Sequence, residues 1–348
     1  MASPSSGDAI RTRAQSQCLL CGSHGRVLYE NLADRLFGAV GSWSIKECSG
    51  QSCGLMWLDP MPVAEDLGKA YINYYTHSEP RRNGKTSRLR KLCRSAHSLY
   101  LRKKYGYSRG TTNGIAYRLG SILHLHIAEA GSTFLESVPG GKLLDVGCGA
   151  GGYLGSMREL GWEVTGVDFD SAAVEAARLA GFDVNCGSLE GQLYPTASFD
   201  AVTLNHVIEH LPDPVATLRE CARILKPEGK LMLFTPNSAS LGHRLFKRDW
   251  RGLEPPRHLF LYSPGSISSL LHQTGFAGLT TRPQIGSSLI YESCLLRRGV
   301  KGPFASGRQY RCARFFARSF AMLEMILQLW QPRVTDCLGV VATKRSAV

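Results

Sequence analysis

The chain has 348 residues, of which 43% are hydrophobic, and a formal net charge of +13 at pH 7. This length accommodates one large domain and a small one, and the apolar content is ordinary for a globular protein. No stretch reaches the roughly 18 apolar residues of a membrane span, and residues 1–13 lack the apolar centre of a signal peptide. We therefore expect a cytoplasmic protein.

The first sixty residues combine a serine-rich start with four paired cysteines. Residues 1–14 are predicted to be a disordered tail. Within residues 15–60, two residues separate Cys18 from Cys21 and four separate Cys48 from Cys53. Two such pairs can supply four thiolates to a tetrahedral Zn²⁺ ion. We expect a small zinc ribbon in which the metal is structural, because all four of its positions are filled.

Residues 61–138 are predicted to form a helical linker that covers a ligand site as a lid. Tyr71, Tyr74 and Tyr75 have helical spacing, which suits either the core or the wall of the ligand pocket. Between residues 81 and 118 there are twelve Lys or Arg residues and no Asp or Glu. Such a segment attracts anions, which include phosphorylated sugars, anionic lipid headgroups and nucleic acid.

The run at residues 143–152 is LLDVGCGAGG. It indicates a buried strand that ends in a glycine-rich turn, where backbone N–H groups can approach a cofactor closely. Asp168 ends the next predicted strand, and a carboxylate there can accept two hydrogen bonds from a ribose diol. Together these features indicate a cofactor that contains a nucleoside.

The glycine spacing alone leaves two cofactors open. Gly147, Gly149 and Gly152 also satisfy the dinucleotide fingerprint, with Asp168 at about the expected offset of roughly 20 residues. Asp145 favours the other candidate, because a carboxylate before the glycines would repel a pyrophosphate. It suits instead the ammonium and sulfonium groups of S-adenosylmethionine.

Residues 139–345 alternate strands and helices, which predicts an α/β fold with a parallel, doubly wound sheet. We predict a helix at residues 172–180 capped by Ser171, and another from Asp213 or Pro214 to Leu225. A strand follows at residues 230–235, and an insertion occupies residues 237–262. A helix from Ser263 to Thr274 and a last strand at residues 337–342 complete the core.

A second basic segment lies at residues 297–330. Basic residues there lead into aromatic and other apolar ones, which is typical of a helix at a membrane interface. Three interpretations of the two basic segments remain open: a solvated face, an anionic membrane surface or lipid-linked acceptor, and RNA.

Further motifs give the sequence a family resemblance. These motifs are FDAVTL at 199–204, NHVIEHLPDP at 205–214 and RILKPEGK at 223–230. Over residues 139–283 the chain resembles class I S-adenosylmethionine-dependent methyltransferases, which implies a Rossmann-like core with a seven-stranded, mostly parallel sheet. The run CGLMWLDP at 53–60 resembles bacterial methyltransferases with an N-terminal zinc ribbon. That group acts on sugars, surface polysaccharides and natural products.

The resemblance assigns cofactor contacts residue by residue. The turn would hold the methionine part, Asp168 the ribose, and Phe169 the adenine, with Ser188 or Leu189 near the adenine amine. Many relatives carry an acid in the run that here reads GSLE at 187–190. The full set of expected cofactor contacts is Asp145, Gly147, Cys148, Gly149, Gly151, Asp168, Phe169, Ser188, Leu189 and Asn205.

Candidate catalytic residues follow the fourth core strand, where such sheets present ligands. His206, Glu209 and His210 are candidates for accepting a proton from the acceptor, although the same motif can also brace the cofactor loop. His258 is a further candidate base in the insertion, and Arg257 there can either bind a phosphate or anchor the loop.

The sequence thus predicts S-adenosylmethionine-dependent methyl transfer to a small-molecule, sugar or glycan-intermediate acceptor. The alternatives are an RNA methyltransferase that uses residues 81–118 and a non-catalytic module that binds S-adenosylmethionine. Expected partners are a free or lipid-linked acceptor and the inner face of the membrane. The sequence does not distinguish oxygen, nitrogen and carbon as the methylated atom.

Overall fold

The computed structural model describes residues 9–51, 53–72, 105–107, 135–284, 287–300, 307–328, 330–331 and 334–345. Most of the predicted linker lies outside these ranges. The part outside includes Tyr74, Tyr75 and every Lys and Arg residue of segment 81–118. Within the described ranges, no helix combines the length and apolarity that a membrane-spanning segment requires.

A seven-stranded sheet forms the centre of the catalytic core. Its strands are β6 (Lys142–Val146), β7 (Glu163–Asp168), β8 (Asp183–Cys186), β9 (Phe199–Asn205), β10 (Leu225–Pro236), β12 (Phe276–Gln284) and β13 (Cys337–Lys344). Their order is β12-β13-β10-β9-β6-β7-β8. β13 is antiparallel to both of its neighbours, whereas β8, β7, β6, β9 and β10 pair in parallel. This confirms the predicted Rossmann-like, mostly parallel sheet.

The central strands are apolar along nearly their whole length because both faces of the sheet are covered. Leu143, Leu144, Val202 and Leu204 are fully buried, and Asp145 and Thr203 are among the few buried polar residues of these strands. Helices α1 (Gly152–Glu159), α2 (Ser171–Leu179), α3 (Pro214–Ile224) and α5 (Pro264–Gln273) connect the strands.

Several predicted boundaries differ from the structure. Asp170, not Ser171, caps α2, because its carboxylate accepts hydrogen bonds from two backbone N–H groups of the first turn. Strand β10 begins at Leu225, five residues before the predicted start, through an irregular pairing with β9. The predicted start of α3 at Asp213 or Pro214 is confirmed, with Asp213 as the N-cap.

The N-terminal strands form two small sheets. β2 (Gly25–Leu32), β3 (Trp43–Cys48) and β4 (Met56–Asp59) are antiparallel neighbours, and β11 (Phe260–Leu261) adds to β4. β1 (Thr12–Arg13) pairs with β5 (Met61–Pro62). The prediction of a disordered tail through residue 14 is therefore wrong for Thr12 and Arg13, which pairing with β5 orders.

The ribbon and the catalytic core share one hydrophobic core. Ile45 and Trp57 of the ribbon belong to the same buried cluster as Leu259 and Tyr262 of the insertion and Leu204 of β9. The rest of the insertion forms helix α4 (Leu241–Phe246) and two short 3-10 turns, Lys247–Asp249 and Arg251–Leu253. Two further helices, α6 (Ser287–Arg297) and α7 (Gly307–Leu327), lie between β12 and β13.

Candidate active site

A cavity of about 720 Å³ opens where the central parallel strands end. Val146, Val167, His206 and Pro236 line it, each at or just beyond the carboxyl end of its strand. Ligands of parallel α/β sheets bind at this edge. The same wall carries most of the predicted cofactor and catalytic residues: Gly147, Gly149, Asp168, Phe169, Ser188, Leu189, His206, Glu209, His210 and His258.

The glycine turn after β6 needs glycine for two physical reasons. Gly147 and Gly149 have φ values of 72° and 53°, in the left-handed region that disfavours residues with a Cβ atom. A Cβ atom on Gly147 would also lie 2.3 Å from Cγ2 of Val207. The turn therefore brings bare backbone to the cavity, as a closely bound cofactor requires.

Asp168 ties the ends of β6 and β7 together. Its Oδ2 atom accepts a hydrogen bond from the Gly149 N–H at 2.7 Å, and Oδ1 accepts one from the Asp170 N–H at 2.9 Å. Burial raises the pKa of this carboxyl group above its usual value. Each carboxylate oxygen has a second lone pair, so the side chain can still accept hydrogen bonds from a ligand in the cavity.

Four predicted cofactor contacts, Asp145, Cys148, Gly151 and Asn205, do not line the cavity. Asp145 is almost fully buried behind the turn, where its Oδ1 accepts hydrogen bonds from Thr203 Oγ1 at 2.6 Å and Asn205 Nδ2 at 3.2 Å. Burial raises the pKa of Asp145 to about 7. These contacts place Asp145 as a support for the turn.

The side of the cavity next to β8 carries Phe169, Ser188 and Leu189. Phe169 is largely exposed and meets the ring of Tyr71 edge to face at 5.4 Å. Glu190, which was not among the predicted site residues, lines the same wall and accepts a hydrogen bond from Thr217 Oγ1 at 2.6 Å. The sequence signal that could have identified Glu190 is its place in the run GSLE, where many relatives carry an acid.

His206 and Glu209 form a hydrogen-bonded pair just past β9. His206 has a φ of 56°, an unusual conformation for a residue with a side chain. The turn that follows brings its Nδ1 atom to 3.3 Å from Glu209 Oε1. Because a carboxylate only accepts, Nδ1 is the donor and Nε2 remains available for the cavity.

The environment of this pair adjusts both pKa values. Burial opposes the charged form of His206, but the hydrogen bond and charge of Glu209 outweigh it and raise the pKa of the imidazole. Burial likewise opposes the charged form of Glu209, but His206 outweighs it and lowers the pKa of that carboxyl group. Glu209 is fully buried, and its Oε2 has no hydrogen-bond partner among the described residues.

His210 and His258 lie beside this pair with their rings 4.7 Å apart. His210 Nδ1 is 2.9 Å from the Tyr71 hydroxyl and 3.0 Å from the Arg257 carbonyl oxygen. His258 Nδ1 donates to the Gly252 carbonyl at 2.7 Å. His258 Nε2 lies 3.3 Å from Glu254 Oε2, and burial outweighs the charge of that carboxylate and lowers the pKa of His258 to about 4.

A buried ionic network supports the insertion and reaches the cavity. Arg257 donates to Asp34 Oδ2 at 2.9 Å, to the Ala70 carbonyl at 2.8 Å and to Glu254 Oε1 at 2.9 Å. With 1% of its surface exposed and these three partners, Arg257 anchors the loop, which is one of the two roles predicted for it. Arg251 pairs with Glu254 and Glu292, and the sequence analysis missed all three of these cavity residues.

The four cysteines of the ribbon converge at one point. Cys18 Sγ lies 3.6 Å from Cys53 Sγ, Cys21 Sγ lies 3.4 Å from Cys48 Sγ, and all four sulfur atoms lie within 4.8 Å of one another. Gly22 and Gly54, which follow the second cysteine of each pair, both have positive φ values. The tight turns of the two pairs therefore face each other.

Comparisons with known proteins agree with this description. A family model described as a methyltransferase domain matches residues 121–281. The ubiquinone biosynthesis O-methyltransferase of Xanthomonas oryzae pv. oryzae (strain PXO99A) is 47% identical over 105 residues, which cover 28% of this chain and 44% of that protein. The protein of the same name from Xanthomonas axonopodis pv. citri (strain 306) is 45% identical over 105 residues, which cover 28% of this chain and 44% of that protein.

This chain thus spans less than half the length of the curated relatives it matches. Among solved structures, an S-adenosylmethionine-dependent methyltransferase from Mesorhizobium loti has a TM-score of 0.42 and 20% identity, covering 60% of this chain and 94% of that one. A methyltransferase of the same description from Archaeoglobus fulgidus has a TM-score of 0.42 and 19% identity. The match covers 71% of this chain and 98% of that one. The domain match and the relatives identify a methyltransferase domain at residues 121–281 of this chain, in agreement with its resemblance to the class I S-adenosylmethionine-dependent methyltransferases.

Proposed function

We propose that this methyltransferase acts on a hydroxyl group of a small polar acceptor, including sugars and glycan intermediates. The observation that carries the proposal is the hydrogen bond between His206 and Glu209 in the same cavity as Asp168. A hydroxyl group must lose its proton when it is methylated, and an imidazole oriented by a carboxylate is a suitable acceptor for it. The names of the curated relatives also support oxygen as the methylated atom.

The residues of the cavity fit S-adenosylmethionine, since Gly147 leaves room for close backbone contact and Asp168 retains free lone pairs. When bound, this cofactor supplies the methyl group on a sulfonium centre. Asp168 would hold the ribose hydroxyls, and the turn at Gly147 and Gly149 would hold the methionine part. His206 Nε2 would take the acceptor proton as the new C–O bond forms and the C–S bond breaks, with its electrons passing to sulfur.

A charged wall of the cavity supports the proposal of a polar acceptor. Arg251, Glu254 and Glu292 line it beside His258, and all three belong to the buried ionic network. Such charged groups favour a ligand that offers hydrogen-bonding partners, because an apolar ligand would displace water from them without replacing its hydrogen bonds. The RNA alternative relies on the Lys and Arg residues of segment 81–118, all of which lie outside the described ranges.

The acceptor is identified by transfer of labelled methyl groups. We expect purified enzyme and methyl-labelled S-adenosylmethionine to label the small-molecule or lipid-glycan fraction of an extract from cells that lack the gene. An alkali-stable, acid-stable methyl ether in the isolated product would establish O-methylation. Label that disappears on nuclease treatment would contradict the proposal and support RNA as the acceptor.

We also propose that the four cysteines hold one structural Zn²⁺ ion. Tetrahedral zinc with Zn–S bonds of about 2.3 Å separates its sulfur ligands by about 3.8 Å, and the observed separations approach this value. The Leu20 and Gly50 N–H groups point at Cys18 and Cys48 sulfur atoms at 3.4 and 3.3 Å, which suits thiolates. Zinc would order the turn before β2 and the turn that connects β3 to β4.

Metal analysis tests the zinc proposal. We expect about one zinc per purified chain, and a Cys18→Ser/Cys48→Ser variant should lose the zinc and much of its stability, because structural zinc contributes on the order of 10 kcal/mol. Cys186→Ser is the matched control, since Cys186 is an exposed cysteine outside the ribbon. A folded wild-type protein without metal, or equal zinc content in the ribbon variant, would contradict the assignment.

A further inference from the structure

Helix α7, the longest helix among the described residues, exposes an apolar stripe. Phe315, Met322 and Ile326 are 76%, 62% and 55% exposed. They are seven and four residues apart, so their side chains follow one line along the helix. The opposite face is buried and packs toward the core through Ala313, Ala317, Phe320 and Glu324.

Arginines border this stripe on one side. Arg311, Arg314 and Arg318 are exposed and lie within about a third of a helical turn of Phe315 and Met322. No described carboxylate pairs with them, and Arg314 donates a hydrogen bond to the Tyr310 hydroxyl at 2.7 Å and lies over the ring of the same tyrosine. Residues 307–323 contain no Asp or Glu. The exposed face of α7 is therefore both apolar and positively charged.

We propose that this face of α7 docks on the surface of an anionic lipid bilayer. Large apolar side chains next to arginines match the boundary between acyl chains and phosphate headgroups, where each group finds its preferred surroundings. A second copy of this chain fits less well, because it would add its own arginines to the contact. The docking is independent of the proposed function.

The position of α7 relates docking to the cavity. Helix α6 packs against α7, with the rings of Tyr291 and Tyr310 5.6 Å apart. The first turns of α6 supply Ser288, Leu289 and Glu292 to the cavity wall. A protein docked through α7 would thus hold its cavity one helix away from the lipid surface, which suits a lipid-linked acceptor if the proposed function holds.

Vesicle sedimentation with the full chain tests this proposal. We expect the protein to sediment with vesicles of phosphatidylcholine and phosphatidylglycerol in equal parts, and to bind pure phosphatidylcholine about tenfold more weakly. The variants Phe315→Ser/Met322→Ser/Ile326→Ser and Arg311→Gln/Arg318→Gln should each weaken binding by about tenfold or more. Leu179→Ser and Arg219→Gln change exposed helical residues elsewhere and should bind like wild type.

Three results would overturn the proposal. The first is absence of wild-type binding to anionic vesicles, and the second is binding that the α7 variants leave unchanged. The third is a concentration-dependent dimer that the triple apolar variant abolishes, without vesicle binding, since the stripe would then be covered by a second copy. Labelling of a soluble acceptor with normal vesicle binding would leave docking intact, so the two proposals fail separately.

Discussion

Glu209→Gln should reduce kcat by about a hundredfold or more while leaving the affinity for S-adenosylmethionine near that of the wild type. Glutamine can still contact His206 Nδ1, but it lacks the negative charge that stabilises the imidazolium formed when the acceptor proton is transferred. Steady-state kinetics with the identified acceptor and calorimetry with the cofactor measure the two effects separately. Glu175→Gln, which changes an exposed glutamate on α2, is the matched control.

The pH profile of the same variant distinguishes a catalytic pair from a structural one. A general base must be neutral, so kcat/KM should rise with pH through the pKa of His206. Glu209, with a smaller contribution from Glu254, raises that pKa. Removing the charge of Glu209 should therefore shift the rising limb to lower pH. A lowered rate with an unshifted limb would show that Glu209 only holds the loop in place.

Asp168→Ala should weaken S-adenosylmethionine binding by at least about tenfold. A charge-assisted hydrogen bond contributes roughly 1.5–3 kcal/mol, and 1.4 kcal/mol corresponds to about tenfold in affinity. The variant also removes the acceptor of the Gly149 N–H and so loosens the glycine turn. Calorimetric titration with the cofactor measures the change, and Asp168→Asn, which retains one acceptor oxygen, should give an intermediate affinity.

A matched control separates the binding effect from a loss of stability. Asp213 also accepts a hydrogen bond from a backbone N–H group, as the N-cap of α3, but its side chain is exposed outside the cavity. Asp213→Ala should lower the melting temperature slightly and leave cofactor affinity unchanged. Unchanged affinity in Asp168→Ala as well would refute the role of Asp168 as the ribose ligand.

Local patterns were sufficient to predict the catalytic core. The apolar run before Gly147, the acidic end of β7 and the caps of α3 and α5 are signals that each lie within a few residues, and the structure contains all of these elements. The errors lie where local signals compete. Asp170 and Ser171 are both good caps, and the extended backbone of Asp170 places its carboxylate over the first turn.

The candidate site was predictable only in part, because tertiary contacts between residues far apart in the sequence assemble the rest of it. His206, Glu209 and His210 lie within five consecutive residues, so one sequence motif identified all three. The contacts of Arg257 with Asp34, 223 residues away, and with the Ala70 carbonyl follow no local pattern. Likewise, only the folded chain reveals that Asp145 faces Thr203 and Asn205 behind the turn.

The strand pairing between β4 and β11 gives the ribbon a part in shaping the catalytic loop. Leu259 accepts a hydrogen bond from the Leu58 N–H at 2.9 Å and donates its own N–H to the Glu209 carbonyl at 2.8 Å. One residue thus connects a ribbon strand to the backbone of the carboxylate that orients His206. A ribbon exchanged without the insertion would therefore lose the strand edge against which the loop that carries His206 and Glu209 is aligned.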